Sequence, residues 1–94
     1  MVLALPAQLT LAEASVCLRQ LARGLSEQST EVALDASALT RFDSAALAVL
    51  LELRRQSLAR GLEFSVLGLP APLASLAALY GVSELLSQAS AAQR

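Results

Sequence analysis

The sequence predicts a single α/β domain with a mixed sheet of about three to four strands and helices packed mainly on one face. Its 94 residues are enough to bury one hydrophobic core. Because 55% of the residues are hydrophobic and only 3% are aromatic, that core must consist mainly of Leu, Ala and Val. Segments with strand and helix periodicity alternate along the chain, which is typical of α/β units. The domain is expected to span 1–94, with a frayed tail at about 88–94.

The first predicted elements are a strand over residues 2–5 and a helix that follows it. Thr10 and Glu13 form a capping box, in which a hydroxyl and a carboxylate each accept a hydrogen bond from a backbone N–H at a helix start. Gly24 predicts a left-handed cap at the end of this helix. The helical period predicts that these side chains face the core: Leu11, Ala14, Leu18, Leu21, Ala22 and Leu25.

Two strands and a short helix are predicted in the rest of the chain. Residues 31–35 are a short Val- and Leu-rich segment, which is typical of a strand buried on both faces. Residues 62–69 alternate apolar and polar side chains with the two-residue period of a strand. Pro72 begins a short helix that runs to Tyr80 and stops at Gly81, and one more helical turn is expected from residue 83.

The longest predicted helix begins after Phe42, with Asp43 as its N-cap and with Phe42 and Leu47 as a hydrophobic staple. Its core side is predicted to contain Ala46, Leu47, Leu50, Leu51, Leu53 and Leu58, with the stem of Arg54 lying on apolar surface. The opposite side is predicted to face outward with Ser44, Ala45, Ala48, Val49, Glu52 and Arg55.

An exposed helix side of small residues with one hydroxyl is more typical of a docking surface than of an active site. Two alternatives use the same residues. In the simpler one, Ala is only a good helix former and Asp43 is only a cap. In the other, Asp35 and Asp43 approach each other and act as an acid–base pair.

The composition argues against most other functions. The absence of His and the presence of a single Cys exclude an internal Cys/His zinc site and a Ser-His-Asp relay, so neither an enzyme nor a metal is expected. Neither of the glycine-rich phosphate-binding loops, GxGxxG or GxxxxGK[ST], occurs, so no cofactor is expected. The scattered Arg residues predict no nucleic-acid partner.

The sequence also indicates where the protein is located. Residues 64–83 are uncharged, but their Pro and Gly residues argue against membrane insertion. Cys17 alone suits a reducing compartment, which favours the cytoplasm.

The segment VALDASALTRFDSAALAVLLELRR resembles the signature of STAS domains, and the later GLEFSVLGLPAPLASLAALYGVSELL resembles the strand and helix that follow it in that family. The resemblance implies a non-catalytic switch or docking module. The position of Ser44 is the one that partner kinases phosphorylate in the anti-sigma-factor antagonists of the family. Ala46 stands where that group has Gly, which argues against close approach of a kinase and predicts no phosphate transfer to Ser44. The alternative function that the resemblance leaves open is an anti-sigma-factor antagonist switched by phosphorylation, with Ser44 as its phosphoacceptor.

Within the family, DSAALAVLLELRRQ is more similar to the MlaB-type subunit of the Mla phospholipid-transport ABC systems. This resemblance implies a subunit that docks on the transporter ATPase, regulates or stabilises it, and serves outer-membrane lipid asymmetry. It also implies a cytoplasmic location, peripheral to the inner membrane. The partner-binding residues are then expected to be Arg41, Asp43, Ser44, Ala45, Ala48, Val49, Glu52 and Arg55.

The N-terminus departs from the family pattern. STAS domains usually have two strands before the first helix, whereas this chain has room for one. A missing edge strand predicts an uncovered sheet edge, which either a partner or a second copy of the chain can cover, so a homo-oligomer is one hypothesis.

Overall fold

The computed structural model describes residues 2–25 and 30–86. It confirms the α/β fold class. The expected tail at 88–94 lies outside the described residues, as does the segment 26–29 before the third strand. The elements, in chain order, are β1 (Val2–Ala4), β2 (Gln8–Leu9), α1 (Leu11–Arg23), β3 (Glu31–Asp35), β4 (Arg41–Phe42), α2 (Ser44–Ala59), β5 (Glu63–Leu67), α3 (Ala71–Leu79) and a 3₁₀ turn (Ser83–Leu86).

The strands form two small parallel sheets. The first has the order β1-β3-β5, with Leu34 opposite both Leu3 and Val66, and the second pairs β2 with β4. The sheet is therefore parallel, not mixed, over the part of the chain that the structure describes. The connections explain the difference, because α1 lies between β1 and β3, and α2 between β3 and β5. A helical crossover returns the chain to the same end of the sheet and makes the next strand parallel.

The helices cover one face of the first sheet, as predicted. The covered face holds the buried side chains of Val32, Leu34 and Val66. The alternate residues on the other face, Ala33, Ser65 and Leu67, are only partly buried. The prediction that residues 31–35 are buried on both faces is therefore wrong. Because successive side chains of a strand point to opposite faces, only every second residue of β3 reaches the core.

The core side of α2 is rotated from the predicted one by about a sixth of a turn, toward Val49 and Ser57. Ala46, Leu47, Leu50 and Leu53 are buried as predicted, whereas Leu58 is 47% exposed, so its assignment to the core is wrong. Leu51 and Arg54 are half-buried at the margin of the core. The fully buried Ser57 takes the place of Leu58, and its Oγ donates to the backbone oxygen of Leu53 at 2.7 Å. This hydrogen bond removes the cost of burying the hydroxyl.

Helix α1 begins as predicted and ends differently. The capping box is present, and the Thr10 N–H donates to a carboxylate oxygen of Glu13 at 2.7 Å. Gly24 has a right-handed φ of −78°, so the predicted left-handed cap is wrong. Its lack of a side chain serves packing, because a Cβ there would lie 3.0 Å from Leu3 Cδ2. Cys17, which was not among the residues predicted to face the core, is buried on the core side of this helix.

Two strands, not one, precede α1. Strand β2 has only two residues, and they pair with the two residues of β4. The backbone oxygen of Ala7 accepts from the N–H groups of Thr40 and Arg41 at 2.8 and 3.0 Å and extends this contact. The prediction that the chain has room for only one strand before α1 is therefore wrong. It missed β2 because a strand of two residues is too short to show the alternation of side chains that identifies a strand.

The last part of the chain folds as predicted. Pro72 lies in the first turn of α3, Tyr80 ends the helix, and Gly81 follows with a left-handed φ of 75°. The uncharged segment 64–83 is divided between β5 and α3. Over residues 2–25 and 30–86, every helix is too short or too polar to cross a membrane.

Candidate protein-docking site

Helices α1 and α2 lie side by side and form a shallow surface groove. The groove consists of two adjoining concavities of about 360 and 380 Å³. We call it the α1–α2 groove, and it is lined by Leu11, Ala14, Ser15 and Leu18 of α1 and by Ser44, Ala45, Ala48, Val49 and Glu52 of α2. Its walls are mainly small or apolar side chains, so an apolar helix or loop can approach the backbone closely.

The Asp43 carboxylate fixes the two helices at one end of the groove. Its Oδ1 accepts from the Ala45 N–H at 2.8 Å, which confirms Asp43 as the N-cap of α2. Its Oδ2 accepts from the Leu11 N–H, the first of α1, at 3.2 Å. The first N–H groups of a helix have no partner within the helix and carry partial positive charge. One carboxylate therefore satisfies a donor at the start of each helix.

Most of the predicted binding residues are accessible. Arg41 lies exposed on β4, Ser44 is exposed at the first position of α2, and Ala48 is exposed one turn later. Ala45 is half-buried between Ser44 and the core. Their accessibility agrees with the predicted outward face, while their role in binding remains a prediction.

Val49 is the exception among the predicted binding residues. It is 2% exposed, so the prediction that it faces outward is wrong, and only its edge contributes to the floor of the α1–α2 groove. The rotated core side of α2 brings Val49 inward. In its place, α1 supplies Leu11, which is 78% exposed at the rim although it was predicted to be in the core. The sequence contains no signal for this, because Leu11 fits the apolar period of α1.

Glu52 forms the polar end of the α1–α2 groove. It accepts from Arg55 Nε and Gln56 Nε2, both at 2.9 Å, and its ion pair with Arg55 bridges one helical turn. The hydrogen bond from Arg55 is the largest cause that lowers the pKa of Glu52 to about 2. Glu52 is therefore held as a carboxylate paired with Arg55, and this ion pair closes that end of the groove with a polar group.

Replacing Arg55 by Gln is expected to raise the pKa of Glu52 toward its ordinary value of 4.5, because the largest lowering cause is removed. A carboxyl NMR titration of Glu52 measures this. In the wild type, the pair stabilises the folded state above the unfolded pKa, and this stabilisation is lost as pH falls from about 4.5 toward about 2. Glu13, whose pKa is lowered by its hydrogen bonds with Thr10 and not by Arg55, serves as the control resonance that should not respond. A wild-type Glu52 that already titrates near 4.5 would contradict the ion pair.

Asp35 has a separate structural role. Its Oδ1 accepts from both the N–H and the Oγ of Ser37, at 3.0 and 2.6 Å, and these bonds lower its pKa. An acid–base pair of carboxyl groups needs one partner with a raised pKa. Asp35 closes the turn after β3, while Asp43 caps two helices, so their hydrogen bonds give no support to the catalytic alternative.

The family comparison covers both helices of the groove. A family model described as "Mlab, STAS domain" matches residues 1–87. The comparison with curated proteins gave no match. Because the family match extends over most of the 94 residues, and the elements on both sides of the groove lie within it, the chain belongs to the STAS domain family.

Proposed function

We propose that this chain is a non-catalytic STAS subunit that docks through the α1–α2 groove on the ATPase of an Mla-type phospholipid-transport ABC system. The observation that carries the proposal is the accessible apolar groove, with Leu11 at its rim and Ser44 and Ala48 on its far wall. The name of the matching family model supports the Mla assignment. In this role the chain regulates or stabilises the ATPase and contributes to outer-membrane lipid asymmetry from the cytoplasmic face of the inner membrane.

The groove favours a helix of the partner as its counterpart. Ala14, Ala45 and Ala48 are small enough to let a helix backbone approach, and Leu11 can insert between two of its turns. Arg41 and Arg55 are exposed near the groove and can pair with acidic residues at its margin. A central apolar contact surrounded by charged residues is the usual arrangement of a protein interface.

Replacing Ala48 by Arg is expected to weaken binding of the cognate ATPase by about a hundredfold or more, because a long charged side chain then occupies the centre of the groove. Isothermal titration calorimetry with the purified ATPase measures this. Ala78→Arg is the matched control, since Ala78 is also an exposed helical alanine and lies on α3, outside the groove. Both variants should unfold within about 0.5 kcal/mol of the wild type. Normal binding by Ala48→Arg, or equal loss in both variants, would remove the groove from the interface.

Val49 is unsuitable for the same experiment. Because it is buried, an Arg at this position leaves an unpaired charge in the core and unfolds the domain instead of testing the surface. Ser44→Glu tests the accessible end of the groove without this problem, and it too is expected to weaken ATPase binding.

One observation favours the second candidate function, an anti-sigma-factor antagonist switched at Ser44. Ala46 is fully buried, so its methyl group points into the core and does not obstruct access to Ser44. The structural reason for predicting an unmodified Ser44 is therefore wrong. Intact-mass measurement of the protein from its native cells separates the functions. High phosphate occupancy at Ser44 favours the antagonist, whereas an unmodified chain that co-purifies with an ABC ATPase favours docking.

A further inference from the structure

The acidic side chains that line the α1–α2 groove are already engaged within the domain. Both oxygens of the Asp43 carboxylate accept backbone N–H groups, one from each helix. The Glu52 carboxylate accepts from the side chains of Arg55 and Gln56. Neither acid therefore offers a free carboxylate to a cation of the partner.

Two arginines at the margin of the groove differ from these acids. Arg41 lies exposed on β4, and because its neighbour Phe42 packs against the core, the Arg41 side chain points outward. Arg19 is exposed on α1, one helical turn after Ser15, which lines the groove. Within the described part of the chain, neither guanidinium has a carboxylate at ion-pair distance. Their hydrogen-bond donors are free to bind a partner.

We propose that the partner segment in the α1–α2 groove carries two acidic side chains, one paired with Arg41 and one with Arg19. This inference rests on the proposed docking function and adds the chemistry of the partner. A guanidinium group binds a carboxylate through two parallel hydrogen bonds, so it favours that group. A helix with an apolar centre and acidic ends therefore complements the groove, whereas a basic helix is disfavoured by like charges.

The positions of the two arginines set the spacing of the acids. Asp43 accepts from the Leu11 N–H, so Arg41, which precedes Asp43 on the same extended segment, lies near the start of α1. Arg19 lies about 12 Å further along α1, at a rise of about 1.5 Å per residue from Leu11. A helix along the groove reaches both cations with acids about seven or eight positions apart, because such positions share one face of a helix.

Charge reversal tests the two ion pairs. Arg41→Glu and Arg19→Glu are each expected to weaken binding of the purified cognate ATPase about tenfold at about 0.05 M salt, mainly by slowing association in surface plasmon resonance. The loss should shrink to about twofold at about 0.5 M salt, because salt screens exposed charges. Arg60→Glu is the control, since it changes the net charge equally but lies at the C-cap of α2, beyond the groove.

Lysine variants locate the acidic residues of the partner. All seven basic residues of the chain are Arg, so Arg41→Lys and Arg19→Lys each introduce a single side-chain amine. A carbodiimide joins that amine to a carboxylate in contact with it, and mass spectrometry identifies the linked residue of the ATPase. Both variants are expected to link to one helix, at positions about seven or eight apart. Arg60→Lys should give no link to that helix.

The outcomes separate this inference from the proposed function. If Arg41→Glu and Arg19→Glu bind as the wild type does while Ala48→Arg loses binding, the acidic partner is overturned and the groove remains the docking site. Losses no larger than that of Arg60→Glu also overturn it, because net charge alone then explains them. A wild-type chain that does not bind the ATPase overturns both proposals.

Discussion

Gly68→Ala is expected to lower the free energy of unfolding by about 2–4 kcal/mol, the largest loss of stability that we expect from a single added methyl group. Gly68 has a left-handed φ of 66°, which costs a residue with a side chain about 1–2 kcal/mol. A Cβ at this position would also lie 2.9 Å from the Cβ of Ser37 and 3.2 Å from its Cα. The turn after β3 and the turn after β5 thus pack together through this glycine.

Gly61 provides the matched control for that experiment. Its φ of 78° is also left-handed, but a Cβ there would have no atom within 4 Å. Gly61→Ala is therefore expected to lose only the conformational part, about 1–2 kcal/mol. Urea unfolding of both variants measures the difference. Equal losses would mean that the contact between Gly68 and Ser37 contributes nothing to stability.

Asp43→Ala is expected to lower the free energy of unfolding by about 1–3 kcal/mol, because it removes the N-cap of α2 together with the acceptor for α1. Asp43→Ser separates the two effects. A Ser hydroxyl caps α2 as well as Asp does, but it cannot also reach the Leu11 N–H. Asp43→Ser should therefore recover most of the stability and still speed hydrogen exchange at the Leu11 amide.

Urea unfolding and amide hydrogen exchange by NMR test the Asp43 variants. Val32, buried on the central strand β3, is the internal reference, because amides of a central strand are expected to exchange mainly through global unfolding. Exchange at Leu11 that is equally slow in Asp43→Ser and in the wild type would show that the 3.2 Å contact does not hold the start of α1.

The helix starts and strand β5 were predictable because they depend on residues that are close together in the sequence. The N-cap at Asp43 and the capping box at Thr10 depend on residues within three positions of each other, and both were confirmed. Strand β5 was predictable because its side chains alternate over five residues. Strands β2 and β4 were not, since two residues are too few to show a period and their pairing joins distant segments.

The candidate site was less predictable because it depends on how helices pack. The apolar residues of α2 surround more than half of the helix, so their pattern leaves the direction of the core undetermined within about a sixth of a turn. Packing resolved it by burying Val49 and leaving Leu58 exposed. The contact between Asp43 and Leu11 spans 32 positions of the chain, and no local pattern indicates it.

The Cys17 thiol can be used to measure how often α1 separates from the rest of the domain. It is the single thiol of the chain, it is 5% exposed, and burial raises its pKa. A thiol reagent attacks the thiolate, so the closed domain has almost no reactive species to offer at neutral pH. Labelling is therefore expected to be slow while α1 is packed in the domain and faster when it separates, so a change in the labelling rate reports that opening without any added probe.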